Sequence, residues 1–522
     1  MDTPRPGKND RANDNATEYA TDYERERLMK IRQSICVIAF CALITTIGWA
    51  QSDSAPQGDA AQPGPIAPQS DSPQAETTAP PAAPAIGQDN PPPAPADNPP
   101  ISGLDQPSLE PQVPVRSFLQ PGARVSEAVD SNVGGTLGNS STSSVTRALG
   151  TLLLQRFWNR YETVVGFAGG GAFYTRHAKT FSQIEQLEAE QKMNWRTGAL
   201  AVRDAFSYLP EGAFGAGSFG GEGGLGGVGN GGGITGAGEG FFGPGQFASL
   251  GQAPRITNVA IMDVVQSLSP RTSVTLTGAY GLVHYTDGTA LVNGISLLDS
   301  RQTSAQAGYN YQLNRKDQIA LVYGFQEFRY PGPVGSSFTT QLVNALYGHR
   351  ISGRLDFVIG GGPQFIETKS FFSGSTRQIS GSGRVSLRYK FPQTQMDLTY
   401  FRYTTSGSGF FAGATTDLAR ISASRPIARR WTAMADIGYA HSSRLGFSIF
   451  GVPAQSDSYV YAGGSVKRQL GRDFSAFLSY QFNDLWFDQS FCAQSATGCS
   501  RTSQRSVALI GLDWHPHAIR LD

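Results

Sequence analysis

The stretch "RVSLRYKF", residues 384–391, alternates polar and apolar side chains along its whole length. Its polar positions carry Arg, Ser, Arg and Lys, and the positions between them carry Val, Leu, Tyr and Phe. Successive side chains of a β-strand point to opposite faces, so the pattern predicts a strand with one wet and one apolar face. Two kinds of sheet meet that description: a soluble sandwich whose apolar face covers a core, and a membrane barrel whose apolar face meets lipid.

The composition of the 522-residue chain favours the barrel. Charged residues make up 16% of the sequence, against about 25% in ordinary soluble domains. A surface with so few charges suits a barrel whose outside faces lipid. Beyond residue 50, no window offers the roughly 18 to 20 uncharged apolar residues of a membrane helix, so we do not expect helical spanning.

Residues 29–50, "MKIRQSICVIAFCALITTIGWA", have the three parts of a secretory signal: a basic start, an apolar run and a small-residue end. We expect export by the general secretory route and cleavage after Ala50, so that residues 1–50 form an N-terminal extension and signal peptide. Met29 is a candidate true start because the residues before it are polar and charged. A signal with a long N-terminal region is the alternative.

Two cysteines remain after cleavage, Cys492 and Cys499 in "FCAQSATGCS". Exported chains pass through an oxidising compartment, and a short polar loop allows two such thiols to close a disulfide. The alternative, a metal-binding pair, lacks neighbouring His or further Cys ligands. We therefore predict a disulfide, and neither a metal site nor a cofactor.

Residues 51–115 contain 17 Pro, eight Asp or Glu, no Lys or Arg and no aromatic residue. A segment of this composition cannot bury enough apolar area to offset its ordering entropy, so we predict a disordered, acidic, Pro/Ala-rich periplasmic linker. It is interpreted either as a mere leader or as a spacer that reaches toward the cell wall.

From Arg116 onward, alternating segments recur in pairs that are joined by tight polar turns. "SVTLTGAYGLVHY" follows "SLSPR", and "QIALVYGFQEF" follows "NRKD", as β-hairpins require. Longer links separate these hairpins, near residues 210–253, 287–298, 407–412, 445–455 and 488–502. Short turns at one end and long loops at the other are typical of outer-membrane barrels. The Gly-rich stretch 211–250 is then the largest extracellular loop.

The strand count completes the fold prediction. Seventeen alternating segments lie between residues 144 and 514, but single-chain bacterial barrels have even counts with both ends periplasmic. "ARVSEAVDS", residues 123–131, is the candidate for one more strand. We predict an all-β fold over residues 116–522: a single closed transmembrane antiparallel β-barrel of about 18 strands, with 16 as the alternative.

Aromatic residues cluster at the predicted strand ends. Near the short turns or the C-terminal end lie Trp158, Trp195, Trp431 and Trp514. At the opposite ends lie Tyr174, Phe206, Tyr208, Phe328, Tyr330, Phe401, Tyr403, Trp486 and Phe487. We predict two aromatic belts at the two lipid interfaces.

Over roughly residues 117–522 the chain resembles bacterial outer-membrane β-barrel proteins of the porin-like kind. The resemblance rests on the signal, the hairpin pattern, the belts and the last strand "SVALIGLDW", which ends in Trp514. It implies insertion into the lipid bilayer of the bacterial outer membrane by the barrel-assembly machinery, which reads a terminal aromatic residue. This chain departs from that pattern because "HPHAIRLD" follows Trp514.

The strand alternation assigns the polar faces to a water-filled lumen, because a lipid-facing Arg or Lys at mid-depth costs about 2–4 kcal/mol. The predicted lumen-lining residues are Arg354, Asp356, Arg384, Arg388, Lys390 and Asp397. From residue 116 onward there are 35 Lys and Arg against 26 Asp and Glu, a net charge of +9. This excess favours anionic solutes, unless lumenal Arg residues pair with acidic neighbours, as predicted for Arg354 and Asp356.

The leading functional hypothesis is a porin-like channel for passive diffusion of small hydrophilic solutes, with a preference for anions as the finer expectation. The alternatives are a structural or interaction barrel with a plugged lumen, and an export conduit for a surface polymer. We do not expect an enzyme, because the six His residues are scattered and the sequence has no GxSxG or HExxH motif. We do not expect nucleic-acid binding, because the positive charges are dispersed. The sequence does not indicate an oligomeric state.

Overall fold

The computed structural model describes residues 100–102, 117–135, 137–138, 140–175, 180–209, 254–286, 291–292, 295–331, 335–370, 374–391, 393–407, 411–446, 454–492 and 499–521. The predicted signal peptide and the Gly-rich stretch 211–250 lie outside the described residues. Of the predicted linker 51–115, only residues 100–102 are described.

The described residues form long antiparallel strands joined in chain order. The strands are Phe118–Asp130 (β1), Ser143–Trp158 (β2), Tyr161–Tyr174 (β3), Phe181–Trp195 (β4), Gly198–Leu209 (β5), Arg255–Ser269 (β6), Thr272–Tyr285 (β7), Leu291–Val292 (β8), Ile295–Ser296 (β9), Ser300–Gln312 (β10), Asp317–Tyr330 (β11), Ser336–Ser352 (β12), Leu355–Ser370 (β13), Gly374–Lys390 (β14), Gln395–Thr405 (β15), Ala414–Ala428 (β16), Trp431–Arg444 (β17), Ser456–Gln469 (β18), Phe474–Phe487 (β19), Thr502–Trp514 (β20) and Ile519–Arg520 (β21). The short strands β8 and β9 pair only with each other, within the link between β7 and β10.

The remaining long strands close into a barrel. Each pairs antiparallel with its neighbours in sequence, and β1 pairs with β20 from Ala123 opposite Trp514 to Asp130 opposite Val507. Leaving out β8, β9 and β21, the barrel has 18 strands. The predicted closed antiparallel barrel of 18 strands is confirmed, and the segment proposed as the additional strand is β1.

No helix among these described residues is long and apolar enough to cross a membrane.

Alternation along each strand separates two faces. On β11, Leu321 and Tyr323 are 56% and 48% exposed, whereas Ala320 and Val322 are almost completely buried. The same rule places large apolar side chains on the outside of many strands, among them Val125, Leu152, Phe167, Val202, Met262, Leu276, Ile359, Leu398, Ile437, Leu478 and Ile510. An apolar outer band is the face that a bilayer solvates.

The two ends of the barrel differ in their connections. At one end, here called the short-turn end, hairpins close in a few residues, as between β2 and β3, where Asn159 takes a positive φ of 51°. Asn tolerates this left-handed conformation better than most residues. The other end, the loop end, carries the longer links. Both β1 and β20 have their free ends at the short-turn end.

Buried ion pairs hold the seam between the first strand and the last barrel strand. Arg124 Nε lies 2.5 Å from Asp513 Oδ1, and Lys467 Nζ from the neighbouring β18 lies 3.2 Å from Asp513 Oδ2. Near the loop end, Arg505 Nε donates to both oxygens of Asp130 at 2.9 and 2.8 Å. Both pairs lie on the inward face and are almost completely shielded from solvent.

The residues beyond Trp514 extend this seam. Ile519 and Arg520 pair with Leu119 and Phe118 of β1, and the Leu521 N–H donates to the Ser117 carbonyl at 3.2 Å. The departure from an aromatic C-terminus therefore adds backbone pairing at the start of β1.

Replacing Asp130 by Ala should lower the free energy of unfolding by about 3–5 kcal/mol, because the buried Arg505 guanidinium then loses its carboxylate. The measurement is urea-induced unfolding of the barrel in detergent micelles, followed by Trp fluorescence. Glu127→Gln is the matched control, since Glu127 is an exposed carboxylate on the outward face of the same strand. An Asp130→Ala barrel as stable as the wild type would contradict the importance of this ion pair.

Candidate functional site: the lumen and its loop end

Strand β14, which contains most of the stretch "RVSLRYKF", presents its polar side chains inward. Ser382 and Ser386 are buried on this face, and Arg384 and Arg388 share it. Arg388 is opposite Asp397 of β15 in the strand register, and its Nε lies 3.1 Å from Asp397 Oδ1.

One other predicted lining residue, Asp356, and the ring of Phe401 lie near Arg388 and Arg384. Asp356 of β13 is opposite Arg388 in the register. The Arg384 guanidinium carbon lies 5.7 Å from the ring centre of Phe401, a cation–π contact across the same inward face. The structure thus brings Arg384, Arg388, Asp356 and Asp397 together on β13–β15.

The other two predicted lining residues lie at the short-turn end. Lys390 is the last residue of β14, and its N–H donates to the Arg354 carbonyl at 2.8 Å. Arg354 belongs to the turn between β12 and β13, and the predicted Arg354–Asp356 ion pair is wrong. Asp356 pairs instead with Arg350 of β12, at 3.2 Å from Nε. In the continuous register of β12 and β13 Arg350 is opposite Asp356, and the register shifts only beyond this pair, between Arg350 and Ser352.

Further ion pairs cross neighbouring strands on the inward face. Arg420 Nη2 lies 2.5 Å from Asp436 Oδ2, between β16 and β17. Arg203 of β5 bridges Asp263 at 2.5 Å and Glu190 at 3.4 Å, on the strands to either side. Together with the seam pairs, these contacts balance positive charge with negative charge around the wall. Sequence reasoning missed most of them because each joins residues that are distant in the chain.

Apolar side chains from several loops meet at the loop end. Phe411, from the link between β15 and β16, is 1% exposed and packs with Tyr459, Tyr461 and Phe487 of β18 and β19. The first loop-end cluster consists of Phe411, Ala414, Leu418, Ala440, Ala454, Tyr459, Tyr461, Leu485, Phe487 and Phe491. Leu137 and Leu297 pack against it from two further links. Loops from different sides of the barrel therefore share one apolar core.

A second loop-end cluster lies beside the first. It consists of Leu298, Phe328, Tyr330, Phe338, Ile366 and Leu445. The Tyr330 hydroxyl donates to the Ser406 carbonyl at 2.8 Å, and the Leu445 N–H donates to the Gly413 carbonyl at 3.0 Å. Gly413 has a φ of 97°, and a Cβ there would lie 2.5 Å from the Phe338 ring, so the loop requires glycine.

The aromatic belt predicted for the loop end is partly wrong. Tyr174, Phe328, Tyr330 and Phe487 are buried inside the barrel end, where they pack in apolar clusters and do not face lipid. Their strand parity was readable from the sequence, since Phe328 and Tyr330 alternate in phase with the inward Ala320 and Val322. At the short-turn end, Trp158, Trp195, Trp431 and Trp514 begin or end their strands. Trp431 and Trp514 are exposed.

The predicted disulfide is confirmed: Cys492 and Cys499 are bonded. Cys492 ends a short 3₁₀ helix, Gln489–Cys492, whose Phe491 belongs to the first loop-end cluster. The disulfide is thus adjacent in sequence to a residue of the first loop-end cluster.

Asp488 holds the same loop by hydrogen bonds. Its Oδ2 accepts from the N–H groups of Gln455 and Ser456 at 2.9 and 3.1 Å, and its Oδ1 accepts from the Ser490 N–H at 3.1 Å. Partial burial raises the pKa of Asp488, but these bonds and one from the Ser490 hydroxyl favour the carboxylate and hold the pKa below its usual value.

Within the described ranges, no three His, Cys, Asp or Glu side chains are grouped so that they could hold a metal ion.

The stabilisation from Asp488 should depend on pH. Because the folded-state pKa is lowered, the contribution is fully present above the ordinary aspartate pKa of about 3.9 and is lost as the pH falls through the folded value. The difference in Tm between the wild type and Asp488→Asn should therefore be largest at neutral pH and close in acid. A difference in Tm that stays constant from neutral to acid pH would contradict this role.

Solved structures of outer-membrane proteins are similar in architecture. The FrpB iron transporter from Neisseria meningitidis is 5% identical over 77% of this chain and 83% of its own, with a TM-score of 0.38. The outer membrane protein opdK from Pseudomonas aeruginosa is 10% identical over 77% of this chain and 99% of its own, with a TM-score of 0.36. OccK2 from Pseudomonas aeruginosa, in complex with glucuronate, is 9% identical over 77% of this chain and 98% of its own, with a TM-score of 0.38.

No protein-family model and no curated protein matches the sequence. The closed strand order and the apolar outer face make the chain an 18-stranded antiparallel β-barrel of the outer-membrane type.

Proposed function

We propose that this protein is an outer-membrane channel for passive diffusion of small hydrophilic solutes, closed at its loop end in the present conformation. The observation that carries the proposal is the contrast between the two faces of the wall. The outward face is apolar, whereas the inward face carries charged, amide and hydroxyl side chains on strand after strand. A polar interior suits water and hydrophilic solutes.

The charged side chains on the inward face affect which solutes would pass through the lumen. Most inward Arg residues described above have acidic neighbours, so the lumen offers paired charges of both signs to a solute. A preference for anions is the finer part of the proposal. It rests on Arg384 and Arg388, which lie four residues apart on the same face of β14, with Asp397 bonded to Arg388. Removing Arg384 should therefore affect ion selectivity more than removing an outward charge.

We expect Arg384→Ser to shift the reversal potential in a KCl gradient toward cation preference, because a half-buried positive charge leaves the lumenal wall. The measurement is single-channel recording of the purified mature chain in a planar bilayer. Arg377→Ser is the matched control: it removes the same charge from the outward face of the same strand, where the side chain is 84% exposed. Equal reversal potentials for all three proteins would contradict the anion preference but not the channel.

The loop-end clusters favour a second candidate, a barrel with a closed lumen whose loops act as an interaction surface. The specific observation is that residues from the links after β1, β7, β15, β17 and β19 contribute to the two clusters. Burying an aromatic ring stabilises a folded arrangement by about 1.5–3 kcal/mol. Opening the loop end therefore requires the free energy of separating several such rings. The two candidates differ in whether loosening the clusters admits ions.

Replacing Phe411 by Ala should raise the mean current and the fraction of time spent in a conducting state. Truncating a buried Phe costs about 3–5 kcal/mol, and here the cost falls on the closed loop arrangement. The measurement is single-channel recording. Phe391→Ala is the control, because it truncates an exposed ring at the short-turn end. A folded Phe411→Ala barrel that carries no more current than the wild type would favour the interaction barrel.

A further inference from the structure

Two residues that precede the barrel, Ile101 and Ser102, lie against its inner wall. Ser102 is 0% exposed, and its N–H donates to Asn310 Oδ1 at 3.0 Å. Its hydroxyl oxygen lies 2.6 Å from Thr275 Oγ1, and its carbonyl accepts from Gln306 Nε2 at 2.7 Å. The backbone and side chain of Ser102 are thus bonded to three inward groups on β7 and β10.

The neighbouring residue, Ile101, covers an apolar patch. It packs against Ala320, Val322 and Leu346, which are buried inward residues of β11 and β12. Apolar side chains facing a water-filled lumen would be an unfavourable exception on a polar wall. Ile101 removes this patch from water, so the wall and the segment complement each other in polarity as well as in hydrogen bonding.

Glycines on the wall leave room for the segment. A Cβ on Gly308 would lie 2.4 Å from the Ser102 Cβ, closer than side chains can approach, and a Cβ on Gly348 would lie 3.2 Å from Ile101 Cγ2. Both glycines are on the inward face of their strands. Any other residue at position 308 would therefore compete with Ser102 for the same space.

The position of this contact in the barrel is also informative. In the closed strand order, β10 and β12 are the eighth and tenth barrel strands from β1, so the contact is on the wall opposite β1. Gly348 and Gln318 lie close to the turn between β10 and β11, which places Ile101 near the short-turn end. Ser117, only 15 positions after Ser102, leads into β1 on the other side.

We propose that the inner wall of β7 and β10–β12 is a binding site for the chain's own Ile101–Ser102, and that the bound segment is an autoinhibitory contact that narrows the lumen at the short-turn end. The part of this inference that concerns current rests on the proposed channel function; the binding itself does not. The site selects a branched aliphatic side chain followed by a small hydroxyl residue, because the apolar patch and the hydroxyl partner Thr275 are adjacent.

A cysteine cross-link tests the binding without reference to transport. In the full-length mature chain, Ser102→Cys combined with Thr275→Cys places two thiols where hydroxyl oxygens now lie 2.6 Å apart. We expect a disulfide on mild oxidation, detected by mass spectrometry of the linked peptides. Ser102→Cys combined with Ser386→Cys, an inward position on β14, is the control and should not cross-link. Failure of the first pair to cross-link in a folded barrel, or equal linking of both pairs, would overturn the binding site.

Single-channel current then tests the autoinhibition. Gly308→Leu should displace Ser102 and raise the conductance, whereas the oxidised Ser102–Thr275 cysteine pair should conduct less than its reduced form. Gly278→Ala on β7 is the control, since a Cβ there meets nothing within 4 Å. A cross-link that forms without changing the current in a conducting barrel would overturn the autoinhibition. If no variant carries current, including Phe411→Ala, the channel function is rejected. The cross-linking result alone then decides whether the binding site exists.

Discussion

The pairing of β1 with β20 is the contact on which the rest of this structure depends. Within a bilayer there is no water to satisfy backbone N–H and C=O groups, so a sheet is stable there only when it has no open edge. The seam provides both kinds of bond that such closure needs. Backbone pairing runs from Ala123 to Asp130, and buried ion pairs at Asp513 and Asp130 lock its two ends. Once the sheet is closed, alternation alone decides which side chains meet lipid.

The inner face of the barrel combines a polar wall with apolar clusters toward both of its ends. At the loop end, aromatic residues of β11, β12, β18 and β19 extend the apolar surface of loops such as that of Phe411. Near the short-turn end, Ile101 covers Ala320 and Val322. Between them, charged residues are held in pairs across neighbouring strands. The apolar contacts hold loops and the preceding segment against the ends of the wall, whereas the ion pairs join neighbouring strands between them.

Much of the fold could be predicted from the sequence because the controlling signal is local. Alternation with a period of two identifies seventeen segments between residues 144 and 514, which correspond to the barrel strands from β2 to β20. The requirement for an even number of strands also identified β1, whose own alternation of polar and apolar residues is weak. Disulfide formation between Cys492 and Cys499 followed from compartment and spacing.

The features that sequence reasoning missed depend on contacts between distant residues. Arg350, not Arg354, pairs with Asp356 because the strand register places Arg350 opposite Asp356, whereas Arg354 lies in the turn between β12 and β13. Phe328 and Tyr330 were assigned to a lipid interface by their position at a strand end, although their parity points them inward. The contact of Ser102 with Thr275 joins residues 173 positions apart, and no local pattern announces it.

The extra residues after Trp514 have a consequence for how the barrel forms. Pairing of Ile519 and Arg520 with Phe118 and Leu119 means that the first strand obtains its final partner only from the last residues of the chain. Until β20 arrives, β1 and β19 both present unpaired edges, which are templates for aggregation, and Leu119 and Phe118 stay unpaired on that side until Ile519 and Arg520 follow. A contact of such long sequence separation also forms slowly. The chain therefore has to be kept apart from its copies until its C-terminus has been delivered, and a truncation of even a few residues acts on the earliest strand.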